Sequence, residues 1–167
     1  MKLSFLFNLV IVGVMFISSA YAGTIYYGFS PAGSAQKLIL YSINNANKSI
    51  DIAAYSFTSK DIAMALSNAK KRGVEIRVVA DFKANEKYTV VSYLRNAGVN
   101  VRVNNNYEIM HNKFMVIDGQ SVQTGSFNYT ASANKRNAEN VILIKDNASL
   151  ASGYEKEFER LFNESER

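Results

Sequence analysis

Lys48-Ser49-Ile50-Asp51-Ile52-Ala53-Ala54-Tyr55-Ser56-Phe57 opens with apolar side chains at 50, 52 and 54 and closes with aromatic rings at 55 and 57. This is the pattern of a strand that begins by alternating and becomes more fully buried. Thr58 and Asp61 then stand at capping-box spacing, with Asp replacing the usual Glu, and predict a helix carrying Ile62, Ala65, Leu66 and Ala69 on one face. Lys70-Lys71-Arg72-Gly73 ends that helix, since cations complement its negative end and glycine accepts the left-handed conformation beyond it. Val74-Glu75-Ile76-Arg77-Val78-Val79-Ala80 follows as the next strand. Strand, helix and strand in succession form a βαβ unit, which makes the two strands a parallel pair joined by a right-handed crossover. The expected fold class is therefore α/β: a mixed, largely parallel central sheet flanked by helices.

The pattern continues on both sides. Pro31 stands where helices commonly begin, and Leu38, Ile39, Ser42, Ile43 and Ala46 make one apolar face after it. A further helix is expected from about Glu86 to Ala97, closed by Gly98 and leading into the strand Val99–Val103. Beyond Asn104-Asn105-Asn106, two strand-like segments flank Asp118-Gly119, a dipeptide that suits a tight hairpin because it tolerates positive φ. Val141–Ile144 reads as a buried strand and Leu150–Phe162 as a final charged amphipathic helix.

Composition bounds the function. The 167 residues are 48% hydrophobic and 20% charged, with nine Gly and one Pro, which excludes a disordered or low-complexity chain. With no Cys there is no disulfide, thiolate zinc site or cysteine nucleophile, and a single His leaves little scope for a histidine-built metal site. A net charge of +5 favours polyanionic partners, nucleic acid and anionic lipid alike.

The first residues form a candidate export segment. Lys2 is a short positive start, Leu3–Ile17 is mainly apolar, and Ala20-x-Ala22 offers small residues at a cleavage site. The expected division is a signal peptide over residues 1–22 and one domain over 23–167. Asn8 interrupts the apolar stretch, and Leu9–Ile17 is shorter than the ~20 residues a spanning helix needs. The expected destination is periplasmic or secreted, with no stable membrane insertion after cleavage.

Chemistry concentrates in His111-Asn112-Lys113-Phe114-Met115-Val116-Ile117-Asp118-Gly119 and Gly125-Ser126-Phe127-Asn128. On a strand, side chains two apart share a face, so His111 and Lys113 project together as a base beside a fixed cation. The turn at Asp118 returns the chain. Gly125 then permits close backbone approach, and the Asn128 amide is able to donate to an oxyanion. Such a set suits a phosphate. Asp118, lying in the turn, reads as a structural acceptor.

This stretch resembles the phospholipase D superfamily, whose motif HxKxxxxDxxxxxxGSxN is matched by His111, Lys113, Asp118, Gly125, Ser126 and Asn128. The short α/β chain with one motif copy is similar to the small, single-motif bacterial endonuclease branch (Nuc-like). The resemblance implies a homodimer, because most members carry two motif copies that build one site. It further implies that His111 attacks phosphorus while the second subunit's His111 protonates the leaving oxygen. Lys113 and Asn128 then orient and neutralise the phosphoryl oxygens, so that no cofactor is expected and no divalent metal is required. In the resembling nucleases a carboxylate placed like Glu139 hydrogen-bonds the catalytic histidine, and Ser126 is expected to bind phosphate. The implied substrate is nucleic acid: single- or double-stranded DNA, or RNA. The rival readings are a phospholipase D-type lipid phosphodiesterase and a non-catalytic nucleic-acid-binding module.

Outside the motif the plainer readings prevail. Lys135 and Arg136 are candidate contacts to flanking phosphates or simply solvated loop cations. Lys70-Lys71-Arg72 reads as charge complementing a helix end. Tyr107, Phe127 and Tyr129 could stack on bases but read first as core, and Asp51 and Asp81 as strand-end or surface residues.

Overall fold

The structure, a computed structural model, describes residues 23–86 and 90–166. The expected export segment, residues 1–22, lies outside the described residues. The elements in order are β1 (Ile25–Ser30), α1 (Ser34–Asn44), β2 (Ser49–Ala54), α2 (Lys60–Lys71), β3 (Glu75–Asp81), α3 (Phe82–Asn85), α4 (Val90–Asn96), β4 (Asn100–Asn104), β5 (Lys113–Ile117), β6 (Ser121–Gly125), α5 (Ala131–Lys135), β7 (Glu139–Ile144) and α6 (Ala148–Asn163).

Among the described residues seven strands form one sheet in the order β1-β7-β6-β5-β2-β3-β4. The βαβ expectation holds, since β2 pairs parallel with β3 and β3 parallel with β4. The sheet is mixed and flanked by helices, but the parallel share is smaller than expected. The pairs β1–β7, β7–β6, β6–β5 and β5–β2 are all antiparallel. The reason is local: after Asn104 no long helix intervenes between strands, so the chain returns through the Asp118-Gly119 turn, where φ is 56° and 66°, and such short connections join antiparallel neighbours.

Each buried strand feeds two cores by its period-two alternation. Ile50, Ile52 and Ala54 of β2 and Ile76, Val78 and Ala80 of β3 pack against α1, α2 and α4. Ala53, Val79, Phe114, Val116 and Val122 point to the other face, where Ala151, Phe158, Leu161 and Phe162 of α6 cover them. The helix α6 is further tied by Arg77, whose guanidinium meets Asp51 at 2.6 Å, Glu159 at 2.7 Å and Glu155 at 3.0 Å. The same group lies 4.9 Å from the Phe158 ring centre.

Several local expectations are corrected. The strand β1 was not foreseen, because Ile25, Tyr27 and Phe29 lie on an edge strand and remain exposed, leaving no half-buried alternation to read. The helix α1 begins after Gly33, at φ 82°, rather than at Pro31. Ser59, not Thr58, caps α2 by accepting from the Ile62 N–H, while the Asp61 carboxylate is taken by the Gln36 amide. The expected Glu86–Ala97 helix is preceded by a separate turn, α3, and described again from Val90; residues 87–89 lie outside the described residues. Asp81 ends β3, as one of the two readings had it, but it and Asp51 are buried, at 2% and 4% exposure, rather than lying at the surface.

Candidate active site

The C-terminal ends of β2, β3 and β6 and the N-terminal ends of β5 and β7 meet at one edge of the sheet, because Ala54 is in register with both Ala80 and Lys113, and Gly125 with Val141. Every motif residue except Asp118 therefore arrives at that edge. His111 sits in the loop two residues before β5 rather than within a strand, and its side chain is exposed.

The His111 loop is held from beneath. The Asp81 carboxylate accepts the Met110 N–H at 2.8 Å and caps α3 through the Ala84 N–H at 2.7 Å. Asn85, buried at 6% exposure, donates to the Tyr55 and Asp81 carbonyls and accepts from the Phe57 N–H. The Tyr55 N–H in turn donates to the Asn112 carbonyl at 2.9 Å. Tyr55 thus touches both motif side chains: its ring stands edge-on to the His111 imidazole, and its face lies 5.0 Å from the Lys113 ammonium. Neither Tyr55 nor Asn85 was foreseen as a site residue, because an aromatic just past a strand and an Asn in a short helix carry no spacing signal.

Lys113 is 8% exposed and turns back to donate to the His111 carbonyl at 2.6 Å. Burial pulls its ammonium below the ordinary lysine range, opposed by the negative charge of Glu139. The side chain is thus a partly desolvated cation next to the imidazole.

The second arm is built by close approach of β6 and β7. Gly125 has φ 152°, and a Cβ there would collide with the Asn140 carbonyl. That proximity lets the Ser126 N–H bond the Asn140 carbonyl at 3.1 Å. The Ser126 hydroxyl accepts from the Asn140 N–H at 3.0 Å and donates to Glu139 at 2.6 Å. The Asn137 amide donates to the other Glu139 oxygen at 3.0 Å. Within one chain, then, the Glu139 carboxylate is bonded to Ser126 and Asn137 and not to His111. The reason is the strand order: β7 and β5 flank β6, which puts their axes ~10 Å apart.

Asn128 follows in the loop before α5; its Oδ1 is buried with no hydrogen-bond partner among the described residues, so the Nδ2 end of the amide is the only part that can donate to an anion. Tyr129 anchors the loop: its carbonyl accepts the N–H groups of Thr58 and Ser59, and its buried hydroxyl donates to Gln123 at 2.9 Å. Phe127 and Tyr129 are fully buried core residues, while Tyr107 is exposed and bonded to Arg160. Lys135 and Arg136 end α5 at the surface, with the Arg136 guanidinium donating to Ser132.

Asp118 lies at the opposite edge. Its carboxylate accepts the N–H groups of Asn47, Lys48 and Ser49, the shortest at 2.7 Å, and pins the loop before β2 to the β5–β6 turn. A cleft of about 760 Å³ opens beside His111 and Lys113, bounded by Thr124 and by Tyr154 of α6. Among the described residues no group of His, Cys, Asp and Glu side chains has the arrangement to hold a metal ion. What the edge offers is one imidazole and one partly desolvated ammonium beside open space, with the Asn128 amide on the adjoining loop, a set able to receive a tetrahedral anion.

Residues 39–162 match the family model described as cardiolipin synthase, PLD-like domain. The chain is 42% identical over 127 residues to a phospholipase D of Rickettsia prowazekii, covering 75% of this chain and 62% of that protein. It is 38% identical over 135 residues to a mitochondrial cardiolipin hydrolase of Xenopus laevis, covering 78% and 62%. The chain thus spans less than two thirds of these relatives. The crystal structure of a phospholipase D family member, Nuc from Salmonella typhimurium, superposes with a TM-score of 0.83 at 37% identity, covering 85% of this chain and 95% of that one. NucT from Helicobacter pylori shares the fold, with a TM-score of 0.78 at 24% identity over 86% of this chain and 98% of that one.

Proposed function

The chain belongs to the phospholipase D-like domain family, and on that premise we propose that it is an exported phosphodiesterase, a non-specific endonuclease hydrolysing DNA, with RNA as a further substrate. The observation that carries this reading is the meeting of His111 and Lys113 beside an open cleft, at the sheet edge to which the Ser126–Asn128 loop also comes. Nuc, similar over nearly its whole length, supports the nuclease assignment over the lipid one.

The reaction runs in two displacements at a site shared by two copies. A ring nitrogen of His111 attacks phosphorus; the P–O bond breaks, and the leaving oxygen takes a proton from His111 of the partner subunit. That partner imidazole, now neutral, removes a proton from water, whose oxygen attacks phosphorus and breaks the P–N bond. Two inversions give overall retention. Lys113 and Asn128 carry the negative charge of the phosphoryl oxygens in a partly desolvated site, and charge neutralisation therefore needs no divalent metal.

A shared site also accounts for Glu139. Held by Ser126 and Asn137 and not bonded to its own imidazole, it is assigned in this reading to orienting His111 of the partner subunit. A surface for that partner is available. Ile25, Tyr27 and Phe29 of β1 lie on the face away from α1, opposite Ile144, Ile142 and Asn140 of β7. Ile25, Tyr27 and Phe29 remain exposed, Tyr27 at 74%. This strip runs to the same sheet edge as Glu139, so a second copy seated on it brings two sites together about one two-fold axis.

Co-assembly tests the reading. Mixing wild-type and His111→Ala chains in equal amounts leaves about a quarter of the oligonucleotide-cleaving activity if each site needs both imidazoles, and about half if sites are independent. Half activity, or full activity in a strictly monomeric species, overturns the shared site. Phosphatidylglycerol vesicles assayed in parallel decide the substrate: turnover of lipid with none of DNA overturns the nuclease assignment and establishes the lipid reading that the Rickettsia and Xenopus relatives' names suggest.

A further inference from the structure

The cleft beside His111 has a wall that the two displacements do not use. Gly153, Tyr154 and Glu157 lie on one face of α6 and look across the cleft to His111, Lys113 and Thr124. Gly153 is interior to a helix of 16 residues, where glycine is the least favourable residue apart from proline. Its φ is ordinary, and a Cβ there would meet nothing within 4 Å. Neither backbone nor packing requires glycine, and the missing side chain leaves its volume to the cleft.

The lining restricts the occupant. Tyr154 is braced edge-on against Phe114, with ring centres 5.0 Å apart, and stands as a firm aromatic wall. Glu157 lines the cleft with both carboxylate oxygens taken by Arg160, which also pairs with Glu164, so this wall offers no free cation to a second phosphate. Acyl chains would lay hydrocarbon against the Glu157–Arg160 ion pair. A flat, neutral group with polar edges satisfies both demands.

We propose that this cleft is the subsite for the nucleoside carried by the scissile phosphate, with Tyr154 as its stacking face and Gly153 as the residue that keeps it open. The proposal rests on the nuclease reading above. It assigns the cleft one nucleoside and sends the next phosphate outward.

Two diesters sharing a leaving group provide the test: thymidine 5′-(4-nitrophenyl phosphate) and methyl 4-nitrophenyl phosphate. Gly153→Leu should lower kcat/KM for the nucleoside ester by at least about tenfold and leave the methyl ester within about twofold. Circular dichroism and solution mass of the variant should match the parent. A second measurement needs no variant: thymidine 5′-phosphate should inhibit the parent at least about tenfold more strongly than methyl phosphate. Equal inhibition by the two phosphates, or equal loss on both diesters in a folded variant, overturns the subsite. If the parent cleaves an oligonucleotide but Gly153→Leu leaves the ratio of the two diesters unchanged, the subsite fails and the nuclease reading stands. If the parent cleaves only lipid vesicles, the nuclease reading fails and takes the subsite with it.

Discussion

The ring of Tyr55 stands edge-on to the imidazole of His111, 4.5 Å between centres, while its face lies 5.0 Å from the Lys113 ammonium. One side chain from the end of β2 therefore limits the rotation of the proposed nucleophile and supports the cation next to it. Tyr55→Leu removes both contacts and should lower kcat about tenfold with KM little changed, since a cation–π contact of ~1–2 kcal/mol corresponds to that order. Tyr55→Phe should retain activity within about twofold. A Leu variant as active as the parent would show that Tyr55 is only packing.

In the proposed reaction Lys113 supplies the charge that a metal would otherwise supply, so activity should survive excess chelator. Lys113→Met should abolish turnover, and added magnesium should not restore it. Burial holds the Lys113 ammonium below the ordinary lysine range. Its proton is therefore lost earlier as pH rises, and the alkaline decline in kcat should begin below the ~10.4 of a free lysine. A decline that waits for that range, or rescue by metal, contradicts this assignment.

Asp118 belongs to the motif yet bonds only backbone, through the N–H groups of Asn47, Lys48 and Ser49. Asp118→Ala leaves those donors without their acceptor and should cost about 1–3 kcal/mol of stability by denaturant unfolding. At low temperature, kcat of the folded fraction should stay within about twofold. A large loss of kcat with unchanged stability would place Asp118 in the chemistry instead.

Glu155 is pushed up to about 7, first by burial and then by its approach to Asp51, against the pull of Arg77. Unfolded, it titrates near ~4.3, so between that value and about 7 the folded chain binds more protons than the unfolded one. This group's contribution is present in full below the lower value and is lost as pH rises through about 7. Glu155→Gln should flatten that part of the stability profile, measured by denaturant unfolding at stepped pH. An unchanged slope in the variant would remove Glu155 as its source. The neighbouring Arg77→Ala change strands Asp51, at 4% exposure, and should destabilise by about 3–5 kcal/mol.

The sequence by itself determined the βαβ unit, because Ile50, Ile52, Ile76 and Val78 alternate with strand period and Ile62, Ala65, Leu66 and Ala69 recur with helix period, and such patterns depend only on local geometry. It also determined the motif residues, whose joint spacing survives any detail of packing. Tertiary structure alone decided the rest. The antiparallel half of the sheet, the edge strand β1 and the burial of Asp51 and Asp81 follow from which strands become neighbours, and neighbourhood across a sheet leaves no periodic trace in the chain. The same holds for Tyr55 beside His111, for Glu139 turned to Ser126, and for the space that Gly153 leaves in the cleft: each is a contact, or a gap, between residues on different elements, and only the assembled sheet with α6 laid across it sets their distance.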